Sequence, residues 1–277
     1  MKKLIVSHIR NEEYLLPFWL KHHKKYFDHG VIVDYNSSDN SVNVIKEICP
    51  TWEVVPSRFE RMSTFQMDTE IEDIESQYPG WWKMCLSTTE FLIGDYNKLD
   101  TQTDPNSFHL IPAFQMVDSL EEEGSYPDSN IEIFNQRVNG IHYNDTISYP
   151  PTKFLGHDEY ENKLRTTMGD GWSTRRARIL HNMDRIKYSI GRHYTDFDNI
   201  SKDFIIAYYR FSPFNETTLN RIVGIQENLT EFDKTYGLGF EHFLGKPEQI
   251  NWFKSWQSNT RDLSLDLQYF INLLPKN

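Results

Sequence analysis

Three short stretches of this chain gather the side chains most able to do chemistry. His8, Arg10, Asn11, Glu12 and Glu13 form one; Asp34, Asn36, Ser38 and Asp39 a second; Ser87, Thr89, Glu90 and Asp95 a third. Carboxylates accept hydrogen bonds from base N–H groups and ribose hydroxyls, and backbone amides at helix starts hold phosphate. The set suits a nucleotide. Each residue also has a plainer use, with Asn11 or Glu12 capping a first helix and Asp39 a second. Three such stretches, each following an apolar run, weaken that alternative.

The elements that must position them alternate between strand and helix. The β-branched run "KLIVSHI" reads as a strand, and in "RNEEYLLPFWLKHHKKY" Leu15, Phe18, Trp19 and His22 recur at helical spacing. "GVIVD", "WEVVPS" and "WWKMCLST" are further strands, with helices over "SVNVIKEIC" and "MDTEIEDIESQY" between them. Four such units predict an α/β fold, a mostly parallel sheet with helices on its faces. In an open sheet of that kind ligands bind beyond the carboxyl ends of the strands, where the three stretches lie.

Past Asp95 the pattern loosens. "FHLIPAFQMV" and "KDFIIAYYRF" read as strands, and the turn-rich "DSLEEEGSYPDSN" and "NDTISYPPTKFLGHDEYENK" as loops over a site. The remainder from Asn215 is helical by period and rich in Phe and Trp. The expected organisation is a domain over 1–214 with a helical extension over 215–277 packed on it.

The chain has 277 residues, with 29 Lys and Arg against 40 Asp and Glu, so its formal charge is -11. That balance argues against a nucleic-acid partner. Cys49 and Cys85 sit in apolar segments, as buried thiols of a reducing compartment do. No stretch approaches the roughly 20 apolar residues of a membrane span. The expected location is the cytoplasm, with peripheral membrane association left open and no integral segment.

The stretch "VSHIRNEEYLLPFWLKHHKKYFDHGVIVDYNSSDNSVNVIKE" resembles the opening of a family 2-like glycosyltransferase of the GT-A fold. In that family a strand ends in "RNE", a helix reads "WLxHH", and the next strand ends in Asp before "SSDxS". The likeness covers about the first 95 residues; "GRHYTDF" and "YYRFSPFNE" match later segments loosely. It implies transfer of a sugar from a nucleotide-sugar donor, UDP-linked before GDP-linked, to a glycan or lipid-linked acceptor, with inversion. By the same resemblance Asp34 faces the base, Asp39 the base or ribose, and Arg10, Asn11 and Glu12 shape the donor pocket.

The sequence departs from the family at its "DxDEF" stretch, where Ser87 and Thr89 stand at the aspartate positions and Glu90 survives. Hydroxyls are poor ligands for Mn²⁺ or Mg²⁺. Three outcomes stay open: Glu90 or Asp95 replaces the lost metal ligand, arginine or lysine neutralises the diphosphate, or activity is gone. His193, in "GRHYTDF", falls where the family places a histidine near the diphosphate, and by that resemblance joins Glu90 and Asp95 as a candidate metal ligand. Asp170, between two glycines beside Trp172 and three arginines, is the candidate base for the acceptor hydroxyl. A catalytically silent sugar-nucleotide or glycan-binding module is the alternative, and nucleotidyl transfer ranks third.

Overall fold

A computed structural model describes residues 1–145, 177–192, 200–236, 238–239 and 242–276. Strand β1 (Lys3–Ile9) leads to α1 (Leu16–His23), β2 (His29–Asp34) to α2 (Ser41–Ile48), and β3 (Glu53–Pro56) to α3 (Thr64–Glu75). Then come β4 (Trp82–Cys85), β5 (Glu90–Gly94), α4 (Tyr96–Thr101), β6 (Phe108–Val117), β7 (Asn139–Ile141), β8 (Ala177–His181) and β9 (Phe204–Phe211). The C-terminal part holds α5 (Glu216–Gly224), α6 (Glu231–Tyr236), α7 (Lys246–Gln257), β10 (Arg261–Asp262) and α8 (Ser264–Ile271).

The fold is α/β, a mostly parallel central sheet flanked by helices. The block β3-β2-β1-β4 is parallel throughout, with Ile9 opposite Asp34 and Val6 opposite Cys85. Parallel strands need crossover connections, and α1, α2 and α3 supply them. β1 is buried almost along its length, which is why "KLIVSHI" reads as a near-continuous apolar run rather than an alternating one. β8 then runs antiparallel between β4 and β6. Beyond Pro112, β6 leaves β8 and pairs instead with β9 and β7.

The stretch "KMCLSTTEFLIGD" is two strands, not one. β4 stops at Cys85, and a turn closes when Glu90 N–H donates to Ser87 O at 2.9 Å. Ser87 N–H in turn donates to the Glu90 carboxylate at 2.8 Å. β5 then starts at Glu90 and pairs antiparallel with β9.

The "WLKHH" run of α1 serves this second strand. Trp19 Nε1 donates to Glu90 O at 3.0 Å, His22 Nε2 donates to Leu92 O at 2.7 Å, and Leu92 N–H donates to His23 Nε2 at 3.3 Å. His23 Nδ1 lies 2.9 Å from Trp19 O. A ring that accepts at Nε2 and donates at Nδ1 is neutral. Burial, with His22 beside it, accordingly holds the His23 pKa well below its ordinary value. α1 thus closes the edge of β5 that β9 leaves unpaired, as an uncovered edge demands.

α3 packs on the other face through Met67 and Ile71. At the C-terminus, Trp252, Phe253 and Trp256 of α7 pack on Val117, Phe211 and Phe214. Leu263, Leu267 and Phe270 reach back into the core around α1. Cys49 and Cys85 are free and buried. Among the described residues no helix is long and apolar enough to cross a membrane.

Candidate functional site

The carboxyl ends of β1 and β2 are laced together by their own polar side chains. Asn11, with φ 54, turns the chain after β1, and its Oδ1 accepts from Ser38 N–H at 2.8 Å. Ser37 Oγ accepts from Asn11 N–H at 3.1 Å, and Ser41 Oγ from Glu12 N–H at 2.8 Å. Asp39 takes Ser41 N–H on one oxygen and Glu13 N–H on the other, at 3.0 and 3.1 Å. Asp39 therefore fixes the loop that opens α2, and Asn11 joins the two loops. Asn11 caps no helix, whereas Asp39, one residue before the N-cap Asn40, holds the first amide of α2. Asp34 holds Ser37 N–H through Oδ1 at 3.0 Å and is half-buried. Arg10 donates through Nη1 to Tyr35 O at 3.0 Å.

The turn at 87–90 joins this scaffold from the side of β4. Thr88 Oγ1 donates to Glu12 Oε2 at 2.8 Å, and Arg221 of α5 donates to the same oxygen at 2.5 Å. Glu12 is buried, so the sequence-predicted donor-pocket acid is the centre of an ion pair. Thr89 is buried, and its carbonyl accepts from Tyr209 N–H at 2.7 Å. The Glu90 carboxylate, also buried, accepts from Nε and Nη2 of Arg178, both at 2.8 Å. Asp95 is not near this group: its carboxylate caps α4 by accepting from Asn97 N–H at 3.1 Å. It lies past the opposite end of β5 from Glu90, on the order of 15 Å away for a strand of that length.

Arg178 stands at the start of β8, which runs antiparallel to β4 and so brings its first residues to the same end of the sheet. Its Nη1 also donates to Gly191 O and Arg192 O, at 2.6 and 3.1 Å. Gly191 and Arg192 both have positive φ, 72 and 58. A non-glycine residue in that region is strained and needs outside support. Asp68 of α3 provides it, accepting from Gly191 N–H at 2.8 Å and from the Arg192 guanidinium. Burial raises the Asp68 pKa, with Arg192 and the Gly191 amide pulling it back.

Three ion pairs therefore ring the end of β1: Glu12 with Arg221, Glu90 with Arg178, and Asp68 with Arg192. His8 sits among them. Its pKa is held well below the ordinary value, by burial first and then by Arg192, Arg178 and Arg221.

The residues present do not fit a divalent cation in this arrangement. Ser87 and Thr89 offer no carboxylate, and both Glu90 oxygens are engaged, one by Arg178 and one by Ser87 N–H. Among the described residues no group of three or more His, Cys, Asp or Glu side chains is placed to hold a metal. Asp170 and His193 lie outside the described residues.

Sequence reasoning did not single out Asp68, Thr88, Arg192 or Arg221, and it named Arg178 only as one of three arginines after Trp172. The positive-φ pair in "GRH" is the one local signal, a glycine followed by a charged residue at a loop. The partners are 88, 124 and 209 residues apart in sequence and cannot be paired without the fold.

No family model and no curated protein matches the chain. Among solved structures it is similar to S. aureus TarS 1-349, with 11% identity over 88% of this chain and 71% of that one, at a TM-score of 0.33. Against the same protein in complex with UDP-GlcNAc the figures are 14% identity, 46% and 37% coverage and a TM-score of 0.29. A 4-diphosphocytidyl-2C-methyl-D-erythritol synthase gives 9% identity, 47% and 70% coverage and a TM-score of 0.29. The chain spans 37% and 38% of the two ligand-bound TarS chains. At such TM-scores the likeness decides nothing about chemistry.

Proposed function

We propose that this chain is a GT-A-type glycosyltransferase that takes its sugar from a UDP-sugar and delivers it, with inversion, to a glycan or lipid-linked acceptor. What supports this is one placement: Arg10 to Glu12, Asp34 to Asp39 and Ser87 to Glu90 meet at the carboxyl ends of three adjacent parallel strands, beside a ring of guanidinium groups. That is where open α/β sheets bind ligands, and a ligand carrying both hydrogen-bonding edges and negative charge suits it.

In this reading Asp34 accepts from the uracil or ribose, since one of its oxygens is committed to Ser37 N–H and the group is half-buried rather than sealed. Asp39, Asn11 and Glu12 act indirectly, by holding the two loops at a fixed separation. Asp170 is the base that removes the acceptor hydroxyl's proton as that oxygen attacks the anomeric carbon.

The occupied Glu90 carboxylate favours a second reading, a sugar-nucleotide-binding module without turnover. Incubating the protein with a panel of UDP- and GDP-sugars separates the two. Release of UDP from one UDP-sugar, above a protein-free control and rising with an added acceptor, is the expected result. UDP binding without turnover on any donor or acceptor would leave the silent module.

A further inference from the structure

Among the described residues, two buried nitrogens at the end of β1 have no hydrogen-bond partner. Arg192 is 5% exposed, and its Nε makes no hydrogen bond, although its Nη1 is held by Asp68. His8 Nδ1 is likewise buried without a partner. Leaving such groups unmade costs folding free energy, so a pair of them beside a ligand-binding sheet end calls for an explanation. Arg192 also sits at φ 58, a strain that Asp68 and Arg178 together maintain.

Arg10 completes the group. It donates to Tyr35 O and has no carboxylate partner among the described residues. Arg178, Arg192 and Arg221 are each matched by one acid, and among the described residues Arg10 has no such partner. Tyr35 is the neighbour common to all three residues. The His8 ring lies 6.5 Å from the Tyr35 ring, Arg10 binds the Tyr35 carbonyl, and burial raises the Tyr35 pKa while the Arg192 charge pulls it down.

Resting on the nucleotide-sugar reading, we propose that Arg192, Arg10 and His8 form the subsite for the donor's diphosphate, which is bound there without a divalent cation. Guanidinium groups bind phosphate oxygens bidentately and carry fixed charge, so they neutralise a diphosphate with no metal bridge. His8, kept neutral, donates through an Nδ1–H without adding charge to the cluster. Arg178 is not part of the subsite. Its Nε, Nη1 and Nη2 are all used by Glu90 and by the carbonyls of Gly191 and Arg192, and its role is to hold Arg192 in place.

Calorimetric titration of the full chain with UDP, uridine and inorganic pyrophosphate, each in EDTA and in Mn²⁺, tests this. UDP affinity is expected to agree within about two-fold in the two buffers, because the charge neutralised by arginine needs no cation. Arg10→Gln, at a half-buried position, is expected to weaken UDP and pyrophosphate by roughly 10-fold or more while leaving uridine unchanged. The double change Asp68→Asn with Arg192→Gln removes both members of a buried pair, avoids a stranded charge, and is expected to do the same. If that double variant does not fold, Arg10→Gln and the buffer comparison decide.

UDP binding that requires Mn²⁺, or full UDP affinity in Arg10→Gln, would overturn the cation-free subsite and leave the nucleotide-sugar reading standing. No UDP binding in either buffer would overturn both.

Discussion

Glu90→Ala is expected to destabilise the protein by about 3–5 kcal/mol, because it strands the buried Arg178 guanidinium without its counter-charge. Arg178 is 6% exposed and Glu90 3% exposed, so water does not replace the lost carboxylate. The same change frees Ser87 N–H, which Glu90 holds at 2.8 Å and which closes the turn between β4 and β5. Urea denaturation of parent and variant measures the loss. Replacing both partners with methionine should recover much of it, since a buried pair exchanged for apolar groups is often near neutral. A loss below about 1 kcal/mol in Glu90→Ala would mean that the pair is solvated and that Glu90 is free for other work.

The second large effect lies in the contact of α1 with β5. Trp19→Ala should cost about 3–5 kcal/mol, the range for deleting a large aromatic side chain from a packed core. Trp19→Phe, which keeps most of the ring but leaves Glu90 O without its donor, should cost about 1–3 kcal/mol. The same contact makes stability depend on pH, with a definite sign. The folded pKa of His23 is depressed below its unfolded value, so the stabilisation is fully present above the unfolded value of about 6.5 and is lost as pH falls below it. His8 acts in the same direction. Chemical denaturation between pH 7.5 and 5 should show falling stability, and His23→Gln, though less stable at pH 7.5, should show a shallower fall. A stability that is flat across that range in the parent would contradict the neutral-ring assignment.

How far the sequence could be read follows from these residues. Strand and helix alternation is a local pattern of apolar spacing, so β1 through β4 and the helices between them were legible, and "FHLIPAFQMV" coincides with β6. The "WLKHH" run was legible as helix but not as the cover for a strand edge, because β5 lies some 70 residues on. "STTEF" read as the end of one strand because its turn depends on a side chain, Glu90, capturing a backbone amide. Asp95 looked like a second site acid because "DYNK" offers no sign, before the fold is known, that β5 carries it to the far end of the sheet. The three arginines became visible only as partners of Glu12, Asp68 and Glu90. Their ion pairs are buried contacts made by the fold, not by spacing along the chain.

Calorimetric titration of UDP into the parent protein and into Asp34→Asn tests the placement of the nucleotide most directly. Asparagine keeps an oxygen for Ser37 N–H, so the loop after β2 is preserved while the charged acceptor is lost. The parent is expected to bind UDP, and the variant to bind it more weakly by about 1.5–3 kcal/mol, the range for a hydrogen bond to a charged group. UDP affinity equal in parent and variant would contradict a nucleotide site at the carboxyl ends of β1 and β2.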